Sequence, residues 1–384
     1  MNDPIYLDHN ATTPVHPEVV DAIIPWLRDH FGNPSSTHTY GLRAHQAVER
    51  AREQVAALLG CDPGEVFFTS GGTEANNIAI LGVAEAVAAR AASGWRRCVV
   101  TSVVEHPATV RPCDRLEGQG WEVGRVPVDR NGTVRACDVR QAVGEGTALV
   151  TVMLANNETG TVMPIRELAD IAHARGALVH TDAAQAVGKI GTRVDELGVD
   201  LLSVAGHKLY APKGVGALYV RRGTQVRPVL LGAGHEHGLR PGTENVPYIV
   251  GLGLACEIAA RDLENEAARV RALRDTLWDL LRAKVPGVRL NGHPTARLPN
   301  TLNVSFPAVR GSAVLAAAPE VAASTGSACH EGDESPSAVL VAMGLEPAVA
   351  LGAVRLSLGR GTTEAQVRSA AIALIGGWQR ACGG

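Results

Sequence analysis

Ser203-Val-Ala-Gly-His-Lys208 is the stretch on which the fold turns. Residues 200–205 read as a short buried strand, and a lysine follows at its carboxyl edge. Ligands of open parallel sheets bind at that edge. A lysine there can be desolvated, lose its proton and attack a carbonyl carbon as a Schiff-base former. Taken alone, the same lysine reads as a solvated surface residue. Outward from it, short apolar runs alternate with amphipathic helical stretches between about residues 65 and 220. Strands are predicted at 65–69, 97–102, 121–127, 148–154, 177–181 and 217–220. A helix opens at Thr73 and another covers 165–175. This alternation means a largely parallel sheet covered on both faces, an α/β fold.

Beyond residue 247 the pattern becomes a long, charged, 3.6-period helix to about 284, with Leu263, Val270, Leu273 and Leu277 among its apolar positions. It reads as a connection into a second, smaller α+β domain. Residues 289–303 are strand-rich, and Ser335-Pro336 reads as the cap and first position of a short helix. A strand at 354–358 and a helix from Thr363 end the chain. The boundaries expected are 15–258 for the large domain, with 1–14 and 259–384 forming the small one.

Two further strand ends add to Lys208. The strand at 177–181 runs into Asp182, with Gln185 three residues on. A buried carboxylate needs a cation, and a pyridinium nitrogen is one; Asp182 also suits a helix N-cap. Ser70-Gly-Gly-Thr73 joins a strand to a helix, where backbone N–H groups and the helix N-terminus attract a phosphate. Lysine, carboxylate and glycine turn together outline an aldehyde, a pyridine and a phosphate, the three handles of pyridoxal phosphate (PLP). His106, after the strand at 97–102, could stack on its ring, or cap or fill the core as an ordinary histidine.

These residues lie in a longer series: Tyr6-Leu-Asp-His-Asn10-Ala-Thr-Thr-Pro14, Gly32-Asn-Pro-Ser-Ser36, Thr69-Ser-Gly-Gly-Thr73-Glu74, Glu105-His106, Asn156-Asn-Glu158, His180-Thr-Asp182-Ala-Ala-Gln185, Gly206-His-Lys208, Arg240-Pro-Gly-Thr243-Glu-Asn245, Gly326-Ser-Ala-Cys329 and Arg355-Leu-Ser-Leu-Gly-Arg360. Nearly end to end, the chain resembles the PLP-dependent cysteine desulfurases of the class V aminotransferases, with the aspartate-aminotransferase-like fold (fold type I). The resemblance implies that Lys208 binds the PLP aldehyde, that Asp182 holds the ring nitrogen and that Gln185 lies beside the phenolic oxygen. By the same likeness His106 stacks on the ring and moves protons, while Thr73, Ser203 and His207 bind the phosphate. Thr243 matches a phosphate contact made from the other subunit of a homodimer. Asn156 and Arg355 match positions that hold the substrate carboxylate, and an arginine fork suits that partner. Cys329 matches the thiol that takes sulfur from L-cysteine as a persulfide, leaving L-alanine, and hands it to a protein acceptor.

Cys329 lies between Ser324-Thr-Gly-Ser-Ala and His330-Glu-Gly-Asp-Glu334, a small and polar stretch that reads as an exposed loop. The other six cysteines read as residues of helices and strands. Glu331, Asp333 and Glu334 oppose thiolate formation at Cys329. The residues after Cys329 depart from the Ser/Thr-rich continuation of long-loop desulfurases and are similar to those of some selenocysteine lyases, which makes that activity the alternative. A non-catalytic PLP-fold partner is the reading from another class, and the presence of both Lys208 and Cys329 speaks against it.

The chain has 384 residues, 46% of them hydrophobic, enough for a large core and against global disorder. Lys and Arg number 36 and Asp and Glu 39, a net charge of −3, which is no nucleic-acid-type balance. Sulfur could feed an iron-sulfur scaffold, tRNA thiolation or DNA phosphorothioation, any nucleic acid being reached through a partner. The seven cysteines form no CxxC pair, so neither a disulfide scaffold nor a four-cysteine zinc site is expected. His235-Glu-His237 lacks the i, i+4 spacing of a zinc-protease helix, and no metal is expected. No secretory signal shows in residues 1–10 and no stretch approaches the ~18 apolar residues of a membrane span. A cytoplasmic, reducing-compartment enzyme is the expectation.

Overall fold

The structure is a computed structural model and describes residues 3–89, 97–325 and 335–383. Among them, twelve strands form three sheets. Strand β1 (Ile5–Tyr6) starts the chain and is paired late. The main sheet contains β2 (Val66–Thr69), β3 (Cys98–Ser102), β4 (Glu122–Val126), β5 (Thr147–Thr151), β6 (Leu178–Asp182), β7 (Leu201–Ala205) and β8 (Gly216–Val220), in the order β2-β8-β7-β6-β5-β3-β4. Strands β3 to β7 pair in parallel, while β8 is antiparallel to both β2 and β7. All strands except β8 therefore run the same way, and their carboxyl ends share one edge. Strands β3, β5, β7 and β8 are buried throughout, which explains their near-continuous apolar runs. The edge strand β4 carries Glu122 and Arg125 and is only partly covered.

Register and small residues draw the edge tight. Thr69 pairs with Gly216, and Gly216 with Ala205. A Cβ at Gly216 would stand 2.7 Å from the Gly71 Cα, so the Ser70–Thr73 turn closes only over glycine. Gly71 itself has φ 148°, a conformation that L side chains rarely adopt.

Helix Val246–Lys284 is 39 residues long. Its first half packs Ile249, Leu252 and Ile258 into the core of the main sheet. Its second half packs Val270, Leu273, Leu277 and Leu281 into a separate core with Leu302, Val304, Val354 and Leu374. That core lies under an antiparallel sheet of β9 (Arg289–Asn291), β10 (Thr301–Ser305) and β12 (Ala353–Ser357), with helix Glu364–Gly383 against it. Strand β1 pairs with β11 (Val321–Ala322), and Leu7 joins the same core.

Local expectations need three corrections. The short helix after the Cys329 segment is Ala338–Ala342, capped by Ser337 and not by Ser335: the Ser337 hydroxyl reaches the Leu340 N–H at 3.3 Å. Cys61 lies in a bend beyond the left-handed Gly60 cap of helix Thr39–Leu59, outside any helix or strand. The helix opened at Thr73 runs from Gly72 to Ala88 but is π-helical over Ile78–Gly82. No helix of the described residues is long and apolar enough to cross a membrane, and none of their His, Cys, Asp and Glu side chains cluster as a metal site.

Candidate active site

A cleft of about 390 Å³ opens at the carboxyl edge of the main sheet. Each wall comes from a different strand end. The β2 turn contributes Gly72 and Thr73, the segment after β3 contributes His106, and that after β5 contributes Met153 and Asn157. Asp182 and Gln185 follow β6, and His207 and Lys208 follow β7. Asn10 enters from the N-terminal segment and Arg355 from β12, so both cores contribute to the site.

Lys208 Nζ donates to the carbonyls of Asn10 (2.5 Å) and Ala11 (2.7 Å). Burial, with Arg355 adding to it, draws its pKa down to about 8 against the pull of Asp8 and Asp182. A useful fraction of the amine is thus neutral near pH 7, as a nucleophile or base needs. Asp182 closes β6 and is 8% exposed. Its Oδ2 accepts from Asn76 Nδ2 at 2.7 Å and its Oδ1 from the Ala184 N–H at 2.9 Å. Among the described residues Asp182 makes no ion pair, and it lines the cleft. His106 caps helix Pro107–Gly118, its Nδ1 accepting from the Ala108 N–H at 3.1 Å. Burial lowers its pKa, only partly offset by Asp182. The ring is therefore neutral with its proton on Nε2. Capping and lining the cleft are both its tasks.

Arg355 reaches Asp8 Oδ1 at 2.8 Å and the Asn157 carbonyl at 3.2 Å, and its buried Nε has no partner. The residue is 6% exposed. The residue lines the cleft, and a guanidinium there suits an incoming carboxylate. His207 Nδ1 lies 3.1 Å from Thr12 Oγ1, and burial lowers its pKa to about 4.

Three expected site residues stand elsewhere. Asn156 is 1% exposed and its amide is consumed by its own turn: Oδ1 accepts from the Glu158 and Thr159 N–H groups, and Nδ2 donates to the Val104 carbonyl. Its neighbour Asn157 lines the cleft instead. Ser203 is fully buried and its hydroxyl meets His180 Nε2 at 2.9 Å. It lies one pleat, about 6.6 Å, below the rim that Ala205 occupies. Thr243 is exposed in a loop and does not line this chain's own cleft. Cys329 falls outside the described residues. The segment that holds it departs next to Arg355, whose N–H reaches the Ser324 carbonyl at 2.6 Å, and returns next to Ser337, whose Oγ donates to Glu158 Oε2 at 2.5 Å.

Asn10 joins the cleft together and was not singled out by its sequence context. Its carbonyl accepts from Gln185 Nε2 (3.0 Å) and Lys208, and its side chain bonds Thr301 (2.9 Å) and Asn300 (3.0 Å). Glu105, beside His106, is buried against Ser102 and the Met153 N–H, and burial lifts its pKa to about 8. Its folded pKa lies above the unfolded one, so the native state binds the extra proton between about pH 4.5 and 8 and loses stability as pH rises through that window. Glu105→Gln should flatten the fall in melting temperature between those limits; an unchanged slope in thermal scans at stepped pH would contradict the buried-acid account.

The donor set suits PLP. Lys208 answers an aldehyde, Asp182 a pyridinium nitrogen, His106 a ring face and the glycine turn at Gly71–Gly72 a phosphate. The chain matches the family model described as aminotransferase class-V over residues 5–369. It is 49% identical over 365 residues to a cysteine desulfurase of Trichormus azollae, covering 94% of this chain and 90% of that one. A solved NifS-like protein superposes with a TM-score of 0.89 at 38% identity, over 97% of this chain and 98% of its own. The structure titled SspA in complex with cysteine gives 0.81 at 35% identity, over 92% and 98%. With a PLP-shaped donor set on a fold-type-I sheet and matches of this extent, the chain belongs to the class V aminotransferase family and, within it, to the PLP-dependent cysteine desulfurases.

Proposed function

We propose that this protein converts L-cysteine to L-alanine and carries the sulfur on Cys329 as a persulfide, for delivery to a protein acceptor in the cytoplasm. The observation that supports this best is the single cleft in which Lys208, Asp182, His106 and Arg355 meet. Bound there, PLP supplies an electron sink. The Arg355 fork, with Asn157 beside it, holds the substrate carboxylate and so points the sulfur-bearing carbon outward. Lys208 removes the α-proton, its neutral form favoured by burial. Asp182 keeps the ring nitrogen protonated, with Asn76 and the Ala184 N–H holding the carboxylate in place. His106 presents Nε2–H toward the cleft for proton return. The Cys329 thiolate attacks the substrate sulfur; the C–S bond breaks and its electron pair, with a proton, stays on the alanine carbon.

A homodimer completes the site in this reading. Thr243 sits on an exposed loop that also displays Leu230 and Leu231, the latter 89% exposed, and we place its hydroxyl on the phosphate of a second copy. The acceptor is an iron-sulfur scaffold, a tRNA-thiolating enzyme or a DNA-phosphorothioation partner. The decisive test is incubation of the PLP-loaded protein with L-cysteine and, separately, L-selenocysteine. One alanine per sulfur transferred is expected from cysteine; alanine from selenocysteine alone would overturn the reading in favour of a selenocysteine lyase.

Asp182→Asn tests the electron-sink role. Breaking a buried ion pair costs about 3–5 kcal/mol, a loss of roughly 10²- to 10⁴-fold in turnover if the cost falls on the transition state. The environment makes asparagine a poor mimic, because both carboxylate oxygens accept from fixed donors. An amide NH₂ would face either Asn76 or the Ala184 N–H. Alanine production within about threefold of the wild type would remove Asp182 from the mechanism.

A further inference from the structure

Glu74 stands one residue beyond the Ser70–Thr73 turn, and nothing in the reaction described above uses it. It is the third residue of the helix that opens at Gly72, whose cap, Gly71, brings no side chain to the first-turn N–H groups. Those groups are thereby left for an anion. Glu74 reaches back across the turn instead. Its Oε2 accepts from the Ser70 N–H, and its Oε1 accepts from Arg240 Nε at 3.0 Å. Burial opposes its charge, yet the Ser70 N–H and Arg240 outweigh burial and hold the carboxyl below its usual range. The pair is well shielded, the Glu74 side chain being 12% exposed and that of Arg240 24%.

Two effects of this carboxylate oppose each other. It shapes the turn. A Cβ at Gly71 would meet nothing within 4 Å, so the turn is open on that side. Two hydrogen bonds brace it, from the Gly71 N–H to Thr69 Oγ1 at 3.3 Å and from the Ser70 N–H to Glu74. The carboxylate also carries charge, and uncancelled it repels the anion that the turn receives. Arg240 supplies the opposite charge. Its loop is fixed in turn to the strand that leads into the glycines: Glu236 accepts from the Phe68 N–H at 2.7 Å and from Arg52 Nη1 and Nη2 at 2.8 and 2.9 Å.

We propose that Arg240 is a positioning residue for the cofactor phosphate: it cancels the charge of Glu74, and so lets that carboxylate brace the Ser70–Thr73 turn without repelling the phosphate bound there. The proposal rests on the reading that this turn binds the cofactor phosphate. Arg240 also stands three residues before Thr243, so its loss could act through a misplaced Thr243 in a second copy. The two routes separate. Neutralising Glu74 repairs a lost cancellation of charge and leaves a misplaced Thr243 as it is.

The test compares PLP with pyridoxal, which has the same aldehyde and pyridine nitrogen and no phosphate. Each is titrated into the cofactor-free, full-length protein, and its dissociation constant is read from the visible band. The wild type should bind PLP more tightly; equal binding of the two would overturn the phosphate reading of the turn itself. Arg240→Met and Arg240→Gln should each lower the preference for PLP over pyridoxal by about tenfold, with pyridoxal affinity within about twofold of the wild type. Arg240→Lys, which keeps the charge, should retain most of the preference. Glu74→Gln added to Arg240→Met keeps an acceptor oxygen for the Ser70 N–H, removes the charge and should restore most of the preference. An unchanged preference in both neutral variants, an equal weakening of both ligands, or a double variant no better than Arg240→Met alone overturns the proposal.

Discussion

Lys208→Ala should fold, bind PLP without a covalent link, and form alanine from L-cysteine at least about 10³-fold more slowly than the wild type. The amine makes no ion pair among the described residues, and its two hydrogen bonds go to main-chain carbonyls. Its removal leaves the Asn10 carbonyl still bonded to Gln185 Nε2, so no buried acceptor is stranded there. Chemistry suffers in two places. The covalent hold on the aldehyde is lost, and so is the base that takes the α-proton. No second amine can serve: Lys189 is fixed to Gln185 and Asn10, behind the cleft wall. Two readouts check this. Borohydride should no longer trap the cofactor on the protein, and alanine, quantified after incubation with L-cysteine, should fall to near background. Turnover within a factor of ten of the wild type would sink the assignment.

That a lysine at position 208 matters was legible before any coordinates, and the reason is physical. A strand buried on both faces writes itself as an unbroken apolar run, and the end of the run is where polar chemistry must begin. Residues 201–205, 178–182 and 66–69 all end this way, in Lys208, Asp182 and the glycine turn. What a run does not encode is depth. Ser203 and Ala205 point to the same face of β7, yet only Ala205 reaches the cleft, because they differ by one pleat. Nor does a run say which residue of a polar doublet turns inward. Asn156 and Asn157 are chemically identical, and only the turn geometry assigns one to its own backbone and the other to the cleft. The two-residue strands β1 and β11 are too short for any alternation to show.

Cys329→Ser should keep the visible band of the bound cofactor, at roughly 400 nm, and lose persulfide formation and sulfur transfer entirely. Sulfur must leave the substrate with a new S–S bond in place of the broken C–S bond, and only a thiolate offers that bond. A serine hydroxyl without an adjacent base is a weak nucleophile. The remaining cysteines give no escape. Burial lifts the thiols of Cys61, Cys113 and Cys256 to about 12, far from the thiolate form at neutral pH. Cys98 is buried inside β3. Cys137 and Cys382 are exposed, but on helices Ala136–Ala142 and Glu364–Gly383, and neither lines the cleft. The chain around Cys329, by contrast, leaves the described residues at Thr325 and rejoins them at Ser335, next to Ser324 and Ser337, which bond to Arg355 and Glu158. Labelling with a thiol-specific alkylating reagent, mapped by mass spectrometry after incubation with L-cysteine, should therefore find the extra sulfur on Cys329 alone. Cys137→Ser and Cys382→Ser should transfer sulfur as the wild type does. Persulfide on either of those residues, or undiminished sulfur release from Cys329→Ser, would move the sulfur-accepting role away from residue 329 and leave the cofactor cleft as the only part of the site still standing.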